Sequence, residues 1–124
     1  MAVGKKILII EDEVSLLNPL LQKFKDKDFD VHGEKNGRDG LKKVKALKPD
    51  MVLLDLVMPE MDGLTMLQAL RSDSAIKNTK VIVLSNLSDV EKASKAAALG
   101  ALDYIVKSDW KINDIVKRVS EKLA

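Results

Sequence analysis

The sequence predicts an α/β fold in which a doubly wound, five-stranded parallel sheet carries helices on both faces. Three observations predict it. Short apolar runs alternate with amphipathic helical stretches five times; four of these runs are near-continuous, as in strands covered on both sides; and the spacing from strand to strand is fairly even. The 124 residues are enough for one domain with its own core, so residues 1–124 are expected to form a single domain.

The elements follow in order. "KILII" at 6–10 is the first strand, and Val14, Leu17, Leu20, Leu21 and Phe24 then mark one face of a helix. "FDVHG" at 29–33 is the second strand, followed by a helix bearing Leu41, Val44 and Leu47. "MVLLD" at 51–55 is the third, followed by Leu64, Leu67 and Leu70. "VIVLS" at 81–85 is the fourth. The helix after it, "SDVEKASKAAALG", is made thin by its alanines, capped by Ser88 or Asp89 and closed by Gly100. "DYIVK" at 103–107 is the fifth strand, and the last helix carries Ile112, Ile115, Val116, Val119 and Leu123, with Ser108 or Asp109 as its expected N-cap.

Composition removes several classes of function. Hydrophobic residues at 46% with 32% charged residues describe a globular chain rather than a disordered one. The absence of cysteine excludes disulfides, thiolate zinc sites and thiol nucleophiles. No apolar run is long enough for a signal peptide or a membrane span, which points to a cytoplasmic location without membrane contact. The formal charge is +2 with acids and bases interspersed, and the basic stretch "KKVKALK" reads as a solvated face of Lys42, Lys45 and Lys48 opposite Leu41, Val44 and Leu47. With no aromatics interleaved, nucleic acid is not an expected direct partner.

In an open parallel sheet, ligands bind beyond the carboxyl ends of the strands. Those ends deliver Glu11, Asp12 and Glu13; Asp55; Ser85; and Lys107. Asp55 sits between Leu53-Leu54 and Leu56-Val57-Met58, where a carboxylate needs a partner or a use. Carboxylates crowded together repel unless a cation sits among them. An all-oxygen set without Cys or clustered His suits Mg2+, held by Glu11, Asp12 and Asp55 and by a backbone carbonyl. A carboxylate beside such a cation, with a Lys and a hydroxyl opposite, is equipped to attack phosphorus, and the product would be an aspartyl phosphate.

Each of these residues also has a plain structural reading. Asp55 and Lys107 form a strand-end ion pair, Glu11 and Asp12 cap the first helix, Ser85 is a turn residue, and Tyr104 is a half-buried strand residue. Gly63 turns the chain into the third helix, Met58, Met61 and Met66 are packing, Trp110 anchors the last helix, and His32 is structural.

The order "IIEDE", "MVLLDLVMPEMDG", "VIVLS" and "GALDYIVK" resembles the receiver domain of two-component response regulators, and the resemblance covers essentially the whole chain. It implies a flavodoxin-like fold with strand order 2-1-3-4-5. It implies that Asp55 accepts a phosphoryl group from a histidine kinase or histidine phosphotransfer protein, with Mg2+ on Glu11, Asp12, Asp55 and the main-chain carbonyl of Val57. By the same resemblance Lys107 contacts the phosphoryl group, Ser85 supplies the hydroxyl that moves to bind it, and Tyr104 is the aromatic that turns inward. The output is expected at the face of the fourth helix, fifth strand and fifth helix, in a monomer or a phosphorylation-dependent dimer. Such a module promotes its own phosphorylation and dephosphorylation but is not an enzyme with a released product. Nothing after the last helix suggests an output domain, so a stand-alone regulator or a fragment of a longer protein is expected.

Three positions depart from the family pattern. Ser108 replaces the proline that usually follows the lysine in a cis peptide. A non-proline cis bond costs roughly 2.5–4 kcal/mol, which argues for a trans loop and puts the reach of Lys107 in question. Asn86 stands where a small residue usually follows the hydroxyl, either crowding the pocket or hydrogen-bonding across it. Val57 and Leu87, two beyond Asp55 and Ser85, are apolar and cannot orient an attacking water, so slow self-dephosphorylation is expected. Two rivals lack the necessary residues: an aspartyl-phosphate phosphatase needs an acid where Val57 stands, and a flavin carrier would meet repulsion at "EDEVS". A degenerate receiver that binds partners without phosphorylation is the remaining alternative.

Overall fold

The computed structural model describes residues 4–86 and 90–123. The elements are β1 (Lys6–Ile10), α1 (Val14–Asp26), β2 (Asp30–Glu34), α2 (Gly37–Leu47), β3 (Met51–Leu54), α3 (Gly63–Ser72), β4 (Val81–Ser85), α4 (Val90–Ala98), β5 (Asp103–Val106), a 3-10 turn (Lys107–Asp109) and α5 (Ile112–Leu123). The strands form one parallel sheet in the order β2-β1-β3-β4-β5, the expected doubly wound arrangement.

Side chains alternate across the sheet, so the apolar runs feed two cores. Ile7, Ile9, Leu53, Ile82, Leu84 and Ile105 point to the side of α1 and α5, where they meet Leu20, Phe24, Ile115, Val116 and Val119. Leu8, Ile10, Val52, Leu54, Val81 and Val83 point to the other side and meet Val44, Met66, Leu67, Leu70 and Ala96 from α2, α3 and α4. Both faces are covered, which is why these strands are continuous apolar runs rather than alternating ones.

Helix ends follow local chemistry. Asn36 caps α2 by accepting from Asp39 N at 2.8 Å, and Asp62 caps α3 by accepting from Thr65 N at 2.9 Å. Gly100 adopts φ +81° beyond α4, and the N–H groups of Gly100 and Ala101 bond back to Ala97 and Ala96, the expected glycine stop. Ala96 is the one buried residue of α4 among those described. The end of this thin helix is also held by Arg71 in the last turn of α3. Its guanidinium donates to the carbonyls of Leu99 (2.6 Å) and Gly100 (3.3 Å), and to those of Lys77 (2.8 Å) and Thr79 (2.6 Å) before β4.

Some boundaries differ from expectation. The second strand is displaced by one residue, because Phe29 packs edge-on against Phe24 at 5.5 Å and leaves the ladder to begin at Asp30. The third and fifth strands end at Leu54 and Val106, so Asp55 and Lys107 are the first residues beyond them. Ser108 and Asp109 do not cap the last helix; they lie in the 3-10 turn, and α5 begins only at Ile112. The caps assigned to Ser88 and Asp89 fall outside the described residues, as does Leu87.

Candidate functional site

The site lies where strand order reverses between β1 and β3, the crevice that a doubly wound sheet offers. Ile10 pairs with Leu54, so the residues just beyond them, Glu11 and Asp55, leave neighbouring strands side by side. The backbone N–H of Asp55 is still tied to Ile10 O at 3.0 Å. Carboxylate oxygens of Glu11, Asp12 and Asp55 converge within 4.8 Å of one another.

Lys107 reaches this cluster from the far side of β4. Its Nζ lies 3.2 Å from Asp55 Oδ2 and 3.0 Å from Glu13 Oε1, and it also pairs with Glu11 Oε1. There are no cis peptide bonds among the described residues, so the trans loop expected from Ser108 is present, and the lysine reaches Asp55 nonetheless. The turn begun by Lys107 lets Ser108 face solvent while the lysine side chain stays 7% exposed.

Burial sets the electrostatics. Glu11 is fully buried and Asp55 is 3% exposed. Burial pushes the Glu11 carboxyl up to about 7, against the opposing pull of Lys107 and the Glu13 N–H, and the nearby Asp55 charge adds to the rise. Burial likewise raises Asp55, while the Lys107 charge and the Val57 N–H, 3.3 Å from Oδ1, favour its ionised form. For Lys107 burial acts downward, but bonds to Glu11 and Glu13 and the Asp55 charge outweigh it and push it up to about 12. The cluster thus holds one firm positive charge and more negative charge than that can balance. An all-oxygen donor set of this kind fits a hard divalent cation such as Mg2+.

The loop after Asp55 is fixed by a glycine. A Cβ on Gly63 would stand 2.3 Å from Asp55 O and 2.6 Å from the Leu56 Cα, and the Gly63 N–H donates to Leu56 O at 2.9 Å. Its role is in the backbone, as expected, but the reason is close approach of two chain segments, not a special turn angle. Met58 and Met66 are buried and Met61 is partly buried in the core beneath α2 and α3, and Val57 faces solvent at 58% exposure.

The remaining expected residues take these positions. Ser85 is buried at the end of β4, paired in register with Val106 beside Lys107. Tyr104, in register with Val83, is partly buried on the α4 side of the sheet. Asn86 is exposed at the bend after β4, so it does not fill the pocket. Trp110 packs against the α1/α5 core with the Arg118 guanidinium 5.3 Å from its ring centre, and His32 pairs with Asp30 of its own strand at 2.9 Å. Glu13 as a partner of Lys107 was not expected. The acidic triplet after β1 was its signal, but only the fold shows that Glu13 turns toward the lysine together with Glu11.

Comparison with known proteins agrees with this fold. The family described as "Response regulator receiver domain" matches residues 7–120. The regulatory protein AtoC of Escherichia coli strain K12 is 37% identical over 107 residues, covering 86% of this chain and 23% of AtoC. The receiver domain of the Francisella response regulator 1452 superposes with a TM-score of 0.86 at 27% identity, covering 97% of both chains. Chemotaxis protein CheY4 of Vibrio cholerae gives 0.87 at 25% identity, covering 96% of this chain and 98% of CheY4. The chain spans between about a quarter and a half of the length of the curated relatives it matches.

Proposed function

Because the chain belongs to the response regulator receiver domain family, we propose that it is a phosphorylation switch whose acceptor is Asp55. A phosphohistidine on a kinase or phosphotransfer protein is the donor. An Asp55 carboxylate oxygen forms a bond to phosphorus as the phosphorus–nitrogen bond breaks, and the imidazole nitrogen keeps the electron pair and takes a proton from solvent. The observation that carries this reading is the convergence of Glu11, Asp12 and Asp55 around one point with the Lys107 ammonium 3.2 Å from Asp55.

Glu11, Asp12, Asp55 and the Val57 carbonyl would hold Mg2+, which when bound neutralises the acids and the phosphoryl oxygens. Lys107 supplies a second positive charge, and its donors orient the phosphoryl group. The Ser85 hydroxyl, at the end of the strand that lies between those leading to Asp55 and Lys107, would move onto a phosphoryl oxygen. That shift would change the packing on the α4 side of the sheet, where Tyr104 is partly buried. Added charge at Asp55 then biases the packing of α4 and β5, and a protein partner reads the change at the α4-β5-α5 face. α4 suits this part because so little of it is buried.

The test is the backbone amide spectrum with and without beryllofluoride and Mg2+. The wild type is expected to shift at residues near Asp55, Ser85 and Lys107 and onward into α4 and β5, and Asp55→Asn is expected not to respond. A wild type as silent as the variant favours a receiver that binds partners without modification.

A further inference from the structure

Glu13 is not among the acids that converge on the cation cluster, yet it is tied to the site at two points. Its backbone N–H donates to Glu11 Oε2 at 3.0 Å, and its Oε1 accepts from Lys107 Nζ at 3.0 Å. Its carbonyl accepts from the N–H groups of Leu16 and Leu17, so its backbone is locked into the start of α1 while its side chain stands 49% exposed at the mouth.

An ammonium has three N–H donors, and Lys107 has three carboxylates around it: Glu11, Glu13 and Asp55. Two of those three also belong to the cation cluster. A divalent cation that engages one oxygen each of Glu11 and Asp55 offsets their negative charge and repels the lysine. Glu13 is the one Lys107 partner among the described residues that such a cation leaves alone. The 3-10 turn fixes the Lys107 backbone through the Trp110 N–H, which donates to Lys107 O at 3.4 Å, while the position of the ammonium is set by the carboxylates around it.

We propose that Glu13 is a positioning residue that retains the Lys107 ammonium beside Asp55 when a divalent cation occupies the acidic cluster. This rests on the cation-binding part of the function proposed above. Glu13 lets the site hold two positive charges at once: the cation would sit among the inner acids, and the lysine stays beside Asp55, held from the mouth side.

The test follows the Lys107 side-chain ammonium signal by 15N NMR in the intact chain, in the wild type and in Glu13→Gln, without and with saturating Mg2+. The wild type is expected to keep the signal in both conditions. Glu13→Gln is expected to keep it without Mg2+, held by Glu11 and Asp55, and to lose it to solvent exchange with Mg2+. A variant signal that survives Mg2+, or that is already lost without it, overturns the proposal. A double-mutant cycle on the Mg2+ dissociation constant supplies a second reading. Glu13→Gln is expected to weaken Mg2+ binding roughly fivefold, the scale of one exposed ion pair, in the wild type but not in a Lys107→Met background. Equal weakening in both backgrounds is only the field of a surface charge and overturns the proposal. A wild type indifferent to Mg2+ overturns it together with the cation site, whereas a protein that binds Mg2+ but is never phosphorylated loses only the acceptor role of Asp55.

Discussion

The Lys107 ammonium stands 3.2 Å from Asp55 Oδ2 although the two residues follow strands that are not neighbours, β3 and β5, with β4 between them. Lys107 must therefore cross the end of β4, and Ser85 at that end lies beneath the crossing. The ion pair ties the end of β3 to that of β5 across β4, and under the proposed function a change of charge at Asp55 is expected to act through it on β5.

The first prediction concerns pH. Glu11 is raised from 4.5 to about 7 in the folded protein, so between these values the native state binds more protons than the unfolded one. Stability is then expected to fall as pH rises from about 4.5 to 7, by on the order of 1–3 kcal/mol. Mg2+ is expected to reduce the fall, because it stabilises the ionised cluster. Urea denaturation across this range checks it; stability that climbs through the same window would contradict it.

A second prediction concerns Gly63. In Gly63→Ala the added methyl meets Asp55 O and the Leu56 backbone well inside contact distance, so the Asp55 loop must shift. A loss of roughly 1–3 kcal/mol is expected, with phosphorylation slowed beyond what reduced stability explains. Equal phosphorylation rates in folded wild type and variant would remove the claim that Gly63 sets the acceptor's position.

Arg71 gives a third. Replacing it by Met leaves carbonyls of the α4 end and the approach to β4 without their donor. Stability is expected to drop by roughly 2 kcal/mol, and hydrogen exchange to quicken most at residues 96–101. Uniform quickening across the chain would make Arg71 a general stabiliser and not the pin of α4.

The fourth concerns the lifetime of the modified state. Val57 is apolar and exposed beside Asp55 and has no group to hold an attacking water. Slow loss of the phosphoryl group is expected, and Val57→Asn is expected to accelerate it several-fold. A rate unchanged by that substitution would assign the lifetime to other residues.

The strands and the acidic rim were legible because both follow from local sequence. Continuous apolar runs mark a sheet covered on both sides, and charged residues just past those runs mark the carboxyl ends. What was illegible depended on contacts between distant segments. Phe29 read as strand because nothing local shows that its ring packs on Phe24. Ser108 and Asp109 have the chemistry of helix caps, but the 3-10 turn that aims Lys107 inward uses them first. Arg71 carried no signal, since an arginine near a helix end is ordinary and its carbonyl partners come from two separate loops. Gly63 showed that a backbone role was needed, while its cause, the closeness of Asp55 O, is visible only in three dimensions.

The most direct measurement is the intact mass of the purified protein after incubation with acetyl phosphate and Mg2+, beside Asp55→Asn treated identically. The wild type is expected to gain one phosphoryl group, lost on removing Mg2+ from the reaction, and the variant to gain none. No gain by the wild type, or the same gain by Asp55→Asn, would contradict the assignment of Asp55 as the acceptor.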